Sequence, residues 1–303
     1  MPVQLSDDDK ASLIAASRNV LFTSIQAFNE YDARTGNVPE EAESPLSIFQ
    51  SATRKCKGPD GFWADDFGRR LTDRVSVYLA GSRNYLGSLY AMVDGYPYGP
   101  GIAPVARCVA EACGKMAWLL DNRIGIESHA RERVARLLLD EADDATRRKQ
   151  IAAGLEHPDR AEMGDEYRAA RDAISKPGPF WAGEIDSGDG GVITLRAQRL
   201  PKTSKFVEIA QDVLAPQDVS AKYVYGYLSS LTHPTMFAYV ESLAGGGDEI
   251  FCAKLVNYAT LAFHNEMRLH SGWTQKPESP LPEGDSIREK HDELNELVAR
   301  LGP

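Results

Sequence analysis

Between Asp66 and Asp94 the apolar residues Leu71, Val75, Tyr78, Leu79, Leu86, Leu89, Tyr90 and Val93 fall on one side of the chain when it is wound at 3.6 residues per turn. A stripe of that length and period predicts a long amphipathic helix with one face to bury. The following Asp94-Gly-Tyr-Pro-Tyr-Gly-Pro-Gly stops it, since proline lacks the amide hydrogen a helix needs and glycine favours turns.

The helical period recurs along most of the chain. Ser6 followed by Asp7, Asp8 and Asp9 is a helix start, with a serine cap and an acidic first turn, and Leu13, Ile14, Val20, Leu21, Ile25 and Phe28 continue it. Pro104 suits the first turn of a helix running through ARCVAEACGKMAWLLD, whose face of Val105, Val109, Ala112, Met116 and Leu119 or Leu120 is small enough for close approach to a neighbour. Further helices are predicted over Glu127–Gln150, up to Tyr167–Ile174, over Phe206–Leu214, over Glu249–Arg268 and over Ile287–Leu301. The helix at 249–268 is apolar nearly all round, which marks a buried element, whereas the last one is polar and amphipathic. Residues 34–61, with three prolines, and 175–191, SKPGPFWAGEIDSGDGG, read as long loops, the first with a short helix around Leu46 to Ala52. VITLRAQRLP offers the one extended segment. The expected architecture is an all-α multi-helix bundle with at most a short β segment near 192–196, organised as one helical domain over 1–272 followed by a polar linker and C-terminal surface helix over 273–303.

Charge and cysteine usage narrow the function classes. A net charge of −10 sets a field that repels phosphate backbones, so there is no strong DNA-binding signal. The densest basic region, Lys55, Lys57, Arg69, Arg70 and Arg74, is interleaved with Phe62, Trp63 and Phe67. Cys56, Cys108, Cys113 and Cys252 show no C-x-x-C spacing and read as reduced thiols. The acidic N-terminus does not read as a signal peptide and no window approaches eighteen apolar residues, so the expectation is a cytoplasmic chain with no membrane partner.

No metal and no cofactor is expected. Glu-x-x-His, H-E-x-x-H, the phosphate-binding G-x-x-x-x-G-K-[ST] and the G-x-S-x-G elbow are all absent, and His264 and His270 are six apart, on different faces of one helix. The polar stretch richest in chemistry is Tyr223–Thr235, YVYGYLSSLTHPT. His233 there has the hydroxyls of Ser229, Ser230 and Thr232 to fix its tautomer and tyrosines to wall a pocket, so His233 with Tyr227 is the candidate acid–base pair. The competing reading makes the hydroxyls backbone caps where Pro234 ends a helix and His233 a satisfied core residue. Arg107, Glu111 and Lys115 stand at i, i+4 and i+8, either a solvated ion-pair ladder or a buried polar stripe. Arg123 and His129 have the Arg, four to six residues, His spacing of HEPN-type ribonucleases, although Gly125 interrupts the segment.

With ARCVAEACGKMAWLLD followed by RERVARLL, QRLPKTSKF and YGYLSSLTHPT in that order across residues 103–240, the chain resembles a set of all-helical, distantly HEPN-like bacterial proteins, commonly actinobacterial. The resemblance implies a helical fold and, because HEPN-like proteins often dimerise, a homo-oligomer; it brings no assigned reaction. Positions matching the recurrent pattern are Arg107, Glu111, Trp118, Arg133, Arg136, Tyr227, Ser229 and His233. The apolar helices at 103–120 and 249–268 serve equally as core or as dimer interface.

Three functional expectations follow. The first is a polar pocket for a small or nucleotide-like ligand, lined by Arg107, Glu111, Tyr227, Ser229 and His233, with Arg133 and Arg136 as further ligand-binding groups. The second is a divergent HEPN-like ribonuclease of a toxin or phage-defence system, with RNA as partner. The third is a small-molecule enzyme of a specialised pathway using the His233 and tyrosine pair.

Overall fold

Ser6 opens the first helix as its sequence requires: its hydroxyl accepts the Asp9 amide at 3.1 Å and donates to the Asp9 carboxylate at 2.6 Å. The structure, a computed structural model, describes residues 5–35, 43–55, 67–94, 101–121, 125–155, 160–175, 185–187, 193–195, 199–213, 248–275 and 284–301. Nine helices stand among the described residues: α1 (Asp7–Thr35), α2 (Pro45–Lys55), α3 (Phe67–Asp94), α4 (Ile102–Leu120), α5 (Ala130–Leu155), α6 (Arg160–Ser175), α7 (Thr203–Val213), α8 (Asp248–Thr274) and α9 (Gly284–Leu301). The architecture is all-α. One two-stranded antiparallel hairpin accompanies it, β1 (Ile185–Ser187) against β2 (Ile193–Leu195), with Asp186 opposite Thr194. β2 lies in the segment predicted to be extended; β1 lies in the stretch whose composition reads as loop.

The chain divides into two compact units, the first made of Met1–Glu40, Arg74–Ala117 and Thr203–Pro303, the second of Glu41–Asp73 and Trp118–Lys202. In the first, α1 and α8 run parallel: Lys10 pairs with Glu249 at 3.3 Å near one end and the Tyr31 hydroxyl meets His270 at 2.6 Å near the other. The rings of Phe28 and Phe263 meet between these contacts, tilted by 50° with centroids 5.8 Å apart. α9 packs on both helices, burying Ile287, His291 and Leu294. α3 runs antiparallel to α8, since Ser76 reaches His270 and Ser82 reaches Glu266. It also runs antiparallel to α4, with Tyr78 beside Lys115 and Tyr85 beside Cys108.

α4 also meets α7, at a glycine on the side of the helix opposite the Val105, Val109, Ala112 and Met116 face. At Gly114 the helix lies so close to α7 that an added Cβ would fall 1.8 Å from the Phe206 carbonyl oxygen, so no side chain fits. Lys115, the next residue, donates to the Tyr78 hydroxyl at 3.2 Å and lies over both the Tyr78 and Phe206 rings.

In the second unit α5 packs against α2 and α6, burying Val134, Leu137 and Leu138. Lys149 stands 3.8 Å from the Tyr167 ring centroid, Arg148 pairs with Glu166 at 2.7 Å, and Arg70 makes a bidentate ion pair with Glu141. α2 begins as helices capped by serine do, with Ser44 Oγ accepting the Ser47 amide at 3.1 Å and Pro45 in the first turn.

Candidate functional site

A spacing of four residues keeps side chains on one face of a helix, drifting only slowly round it. On α8 this face carries Tyr258, Ala262, Glu266 and His270. Three of the four are polar, on a helix whose other residues Ala253, Val256, Ala259, Phe263 and Met267 are buried and apolar or small.

Glu266 is completely buried. One carboxyl oxygen accepts the Ser82 hydroxyl at 3.0 Å, and the other has no hydrogen-bond partner among the described residues. Burial pushes its pKa well above the usual value of 4.5, with the Ser82 hydrogen bond opposing only in part. Burial thus holds Glu266 toward its protonated form, in which the carboxyl carries one O–H donor. Cys113 of α4 is equally buried, and burial followed by the proximity of Glu266 raises its thiol pKa far enough to keep it protonated. Tyr258 has a buried hydroxyl with no partner among the described residues, its pKa raised by burial and then by Cys113. Cys113 thus lies within electrostatic reach of both α8 residues. These stand eight positions apart, about 12 Å along the helix axis, with the small, buried Ala262 between them.

One turn beyond Glu266, His270 links three helices. Its Nδ1 lies 2.6 Å from the Tyr31 hydroxyl of α1 and its Nε2 lies 2.9 Å from the Ser76 hydroxyl of α3. The phenol is the stronger acid, so it donates to Nδ1, and Nε2–H donates to Ser76 Oγ. Burial lowers the His270 pKa to about 4, which leaves the imidazole neutral, and burial first of all lifts Tyr31 to about 12. On another face of α8, Asn257 accepts from His291 Nδ1 of α9 and donates to Asn295 at 2.7 Å. His264 and His291 are both held near a pKa of about 4, chiefly by burial, and the Nε2 of each is buried without a partner among the described residues.

The sequence-predicted site residues are distributed differently. Arg107 and Glu111 are joined on α4 by an ion pair of 2.6 Å, both partly buried in the first unit, with Tyr85 and Cys108 beside them. Arg133 and Arg136 belong to the second unit, where they close the α4–α5 connection. Arg133, entirely buried, donates to the carbonyls of Leu120 at 2.9 Å, Asp121 at 3.0 Å, Gly125 at 3.0 Å and Ile126 at 3.3 Å. Arg136 donates to the Trp118 carbonyl at 2.6 Å and pairs with the Asp121 carboxylate at 3.0 Å. Asp121 has a φ of 29°, the left-handed turn that commonly ends a helix, so the two guanidinium groups satisfy carbonyls that such an end leaves open. That geometry commits both arginines to holding the chain. Tyr227, Ser229 and His233 lie outside the described residues, as does Arg123; His129 Nδ1 is 2.9 Å from Ser128 Oγ at the start of α5.

Sequence considers His270 only for metal binding with His264 and does not single out Glu266, on a helix that reads as apolar nearly all round. The usable signal is Glu-x-x-x-His, two polar groups one turn apart among core residues, a spacing outside the Glu-x-x-His search. No group of three or more histidine, cysteine or acidic side chains able to hold a metal exists among the described residues, and none of their helices is long and apolar enough to cross a membrane. Comparisons with protein-family models, curated proteins and solved structures each returned no match.

Proposed function

We propose that the chain is a small-ligand-binding helical protein whose site is the polar interior between α3, α4 and α8, centred on Glu266. The observation that carries this reading is the fully buried Glu266 carboxyl with one oxygen unpartnered among the described residues. Leaving such a group unsatisfied costs about 1–3 kcal/mol, and an apolar residue of similar volume is often neutral or stabilising in its place. A ligand that takes up the open hydrogen bond gives the group a use that offsets this cost. Tyr258, whose hydroxyl has no partner among the described residues, and Cys113 and Ser82 from facing helices complete a small set of buried polar groups between helices, where ligand sites of helical proteins are built.

The test is thermal unfolding of the wild type, Glu266→Gln and Glu266→Leu against a panel of small amines, alcohols, carboxylates and nucleosides. At least one class is expected to raise the melting temperature of the wild type and to lose that effect in both variants. Stabilisation by Glu266→Leu with no response of the wild type to any class would reduce Glu266 to a feature of the core.

A further inference from the structure

We infer that the ligand of the Glu266 site is an organic ammonium ion with an apolar body and a hydrogen-bond acceptor at its far end. The inference rests on the reading above and specifies its substrate class from the charge and placement of the groups. Glu266, Cys113 and Tyr258 are all acids, and no lysine, arginine or histidine forms an ion pair or hydrogen bond with Glu266 among the described residues. A phosphate or carboxylate would find no counter-charge here, and burying an unpaired anion is strongly unfavourable. An ammonium ion meets in Glu266 the strongest acid of the three by ordinary pKa, which can ionise to match it.

Binding balances as a proton exchange. The ammonium enters as R–NH3+, the Glu266 O–H bond breaks, its proton leaves to solvent, and the new carboxylate accepts the hydrogen bonds of the ammonium and of Ser82 Oγ. One proton is released for each cation bound. Along α8 the next residue on the same face is the buried Ala262, so the stretch between Glu266 and Tyr258 calls for an apolar body. Tyr258, about two helical turns from Glu266, has an O–H donor with no partner among the described residues, which calls for an acceptor at the far end. Of the other titratable groups on this row, Lys254 is exposed, four residues beyond Tyr258, and His270 is engaged on both nitrogens by Tyr31 and Ser76 and takes no part in the exchange.

The probes are two charge-matched sets: n-butylammonium, 1-butanol and butyrate, and tyramine, tyrosol and 3-(4-hydroxyphenyl)propanoate. Thermal unfolding at about 10 mM probe and fixed ionic strength is followed by calorimetry in two buffers of different ionisation enthalpy, which counts protons. The expected result is a melting-temperature rise of roughly 4 °C or more with an ammonium member, tyramine above n-butylammonium, and none with its alcohol or carboxylate partner. About one proton should be released per ligand, and Glu266→Gln, close in shape to the protonated acid, should abolish the response. A Glu266-dependent response to the alcohols or carboxylates in place of the ammonium ions would overturn the cation inference and leave the ligand site standing. Silence of every probe with wild type and Glu266→Gln alike would overturn the cation inference, and the wider panel above then decides whether the site itself stands.

Discussion

Glu266 and Arg133 are both entirely buried, yet their hydrogen-bond accounts are opposite. Arg133 spends its guanidinium on four backbone carbonyls, whereas Glu266 leaves an oxygen with no partner among the described residues. Removing Arg133 therefore exposes a penalty: Arg133→Ala is expected to cost roughly 3–5 kcal/mol in urea unfolding. Lysine should restore little, because an ammonium cannot span carbonyls that a planar fork reaches together. Removing Glu266 relieves a penalty. Glu266→Leu is expected to raise unfolding free energy by about 1–3 kcal/mol, and Glu266→Gln to change it by much less.

Among the elements, α4 and α8 bear the organisation of the first unit, and Gly114 is where α4 tolerates least. Gly114→Ala forces the Phe206 backbone away, and a loss of about 1–3 kcal/mol is expected from chemical denaturation. The helices themselves were readable from sequence because period, caps and prolines agree locally: Ser6 and Pro104 stand in the first turns they suggested. The site was less readable. Glu266 sits among residues that period and composition both assign to a core, and only the packing of α3 and α4, distant in sequence, reveals that one of its carboxyl oxygens has no partner among the described residues. Arg133 and Arg136 entered the ligand-binding set through the family resemblance, and their positions in sequence do not show the carbonyls at the end of α4 to which they donate.

At the scale of the whole molecule the buried titratable groups set how stability follows pH. His264, His270 and His291 have folded pKa values near 4 against 6.5 for an ordinary histidine. Below pH 6.5 the unfolded chain takes up protons that the folded chain refuses, so stability is full above that pH and falls as pH drops towards 4, by about 1.4 kcal/mol per unit for each histidine. Glu266 acts in the other direction. Its raised pKa gives stability that is present below pH 4.5 and is lost as pH rises towards its folded value. Urea unfolding should therefore show stability rising from pH 4.5 to 6.5, since three histidines outweigh one carboxyl. His264→Leu should make that rise shallower, and Glu266→Gln should make it steeper. The most direct test is the carboxyl carbon resonance of Glu266, assigned by its loss in Glu266→Gln and followed by NMR against pH. The carboxyl is predicted to stay protonated through pH 7 in the free protein and to ionise when an ammonium ligand binds; titration near 4.5 in the free protein would contradict the account.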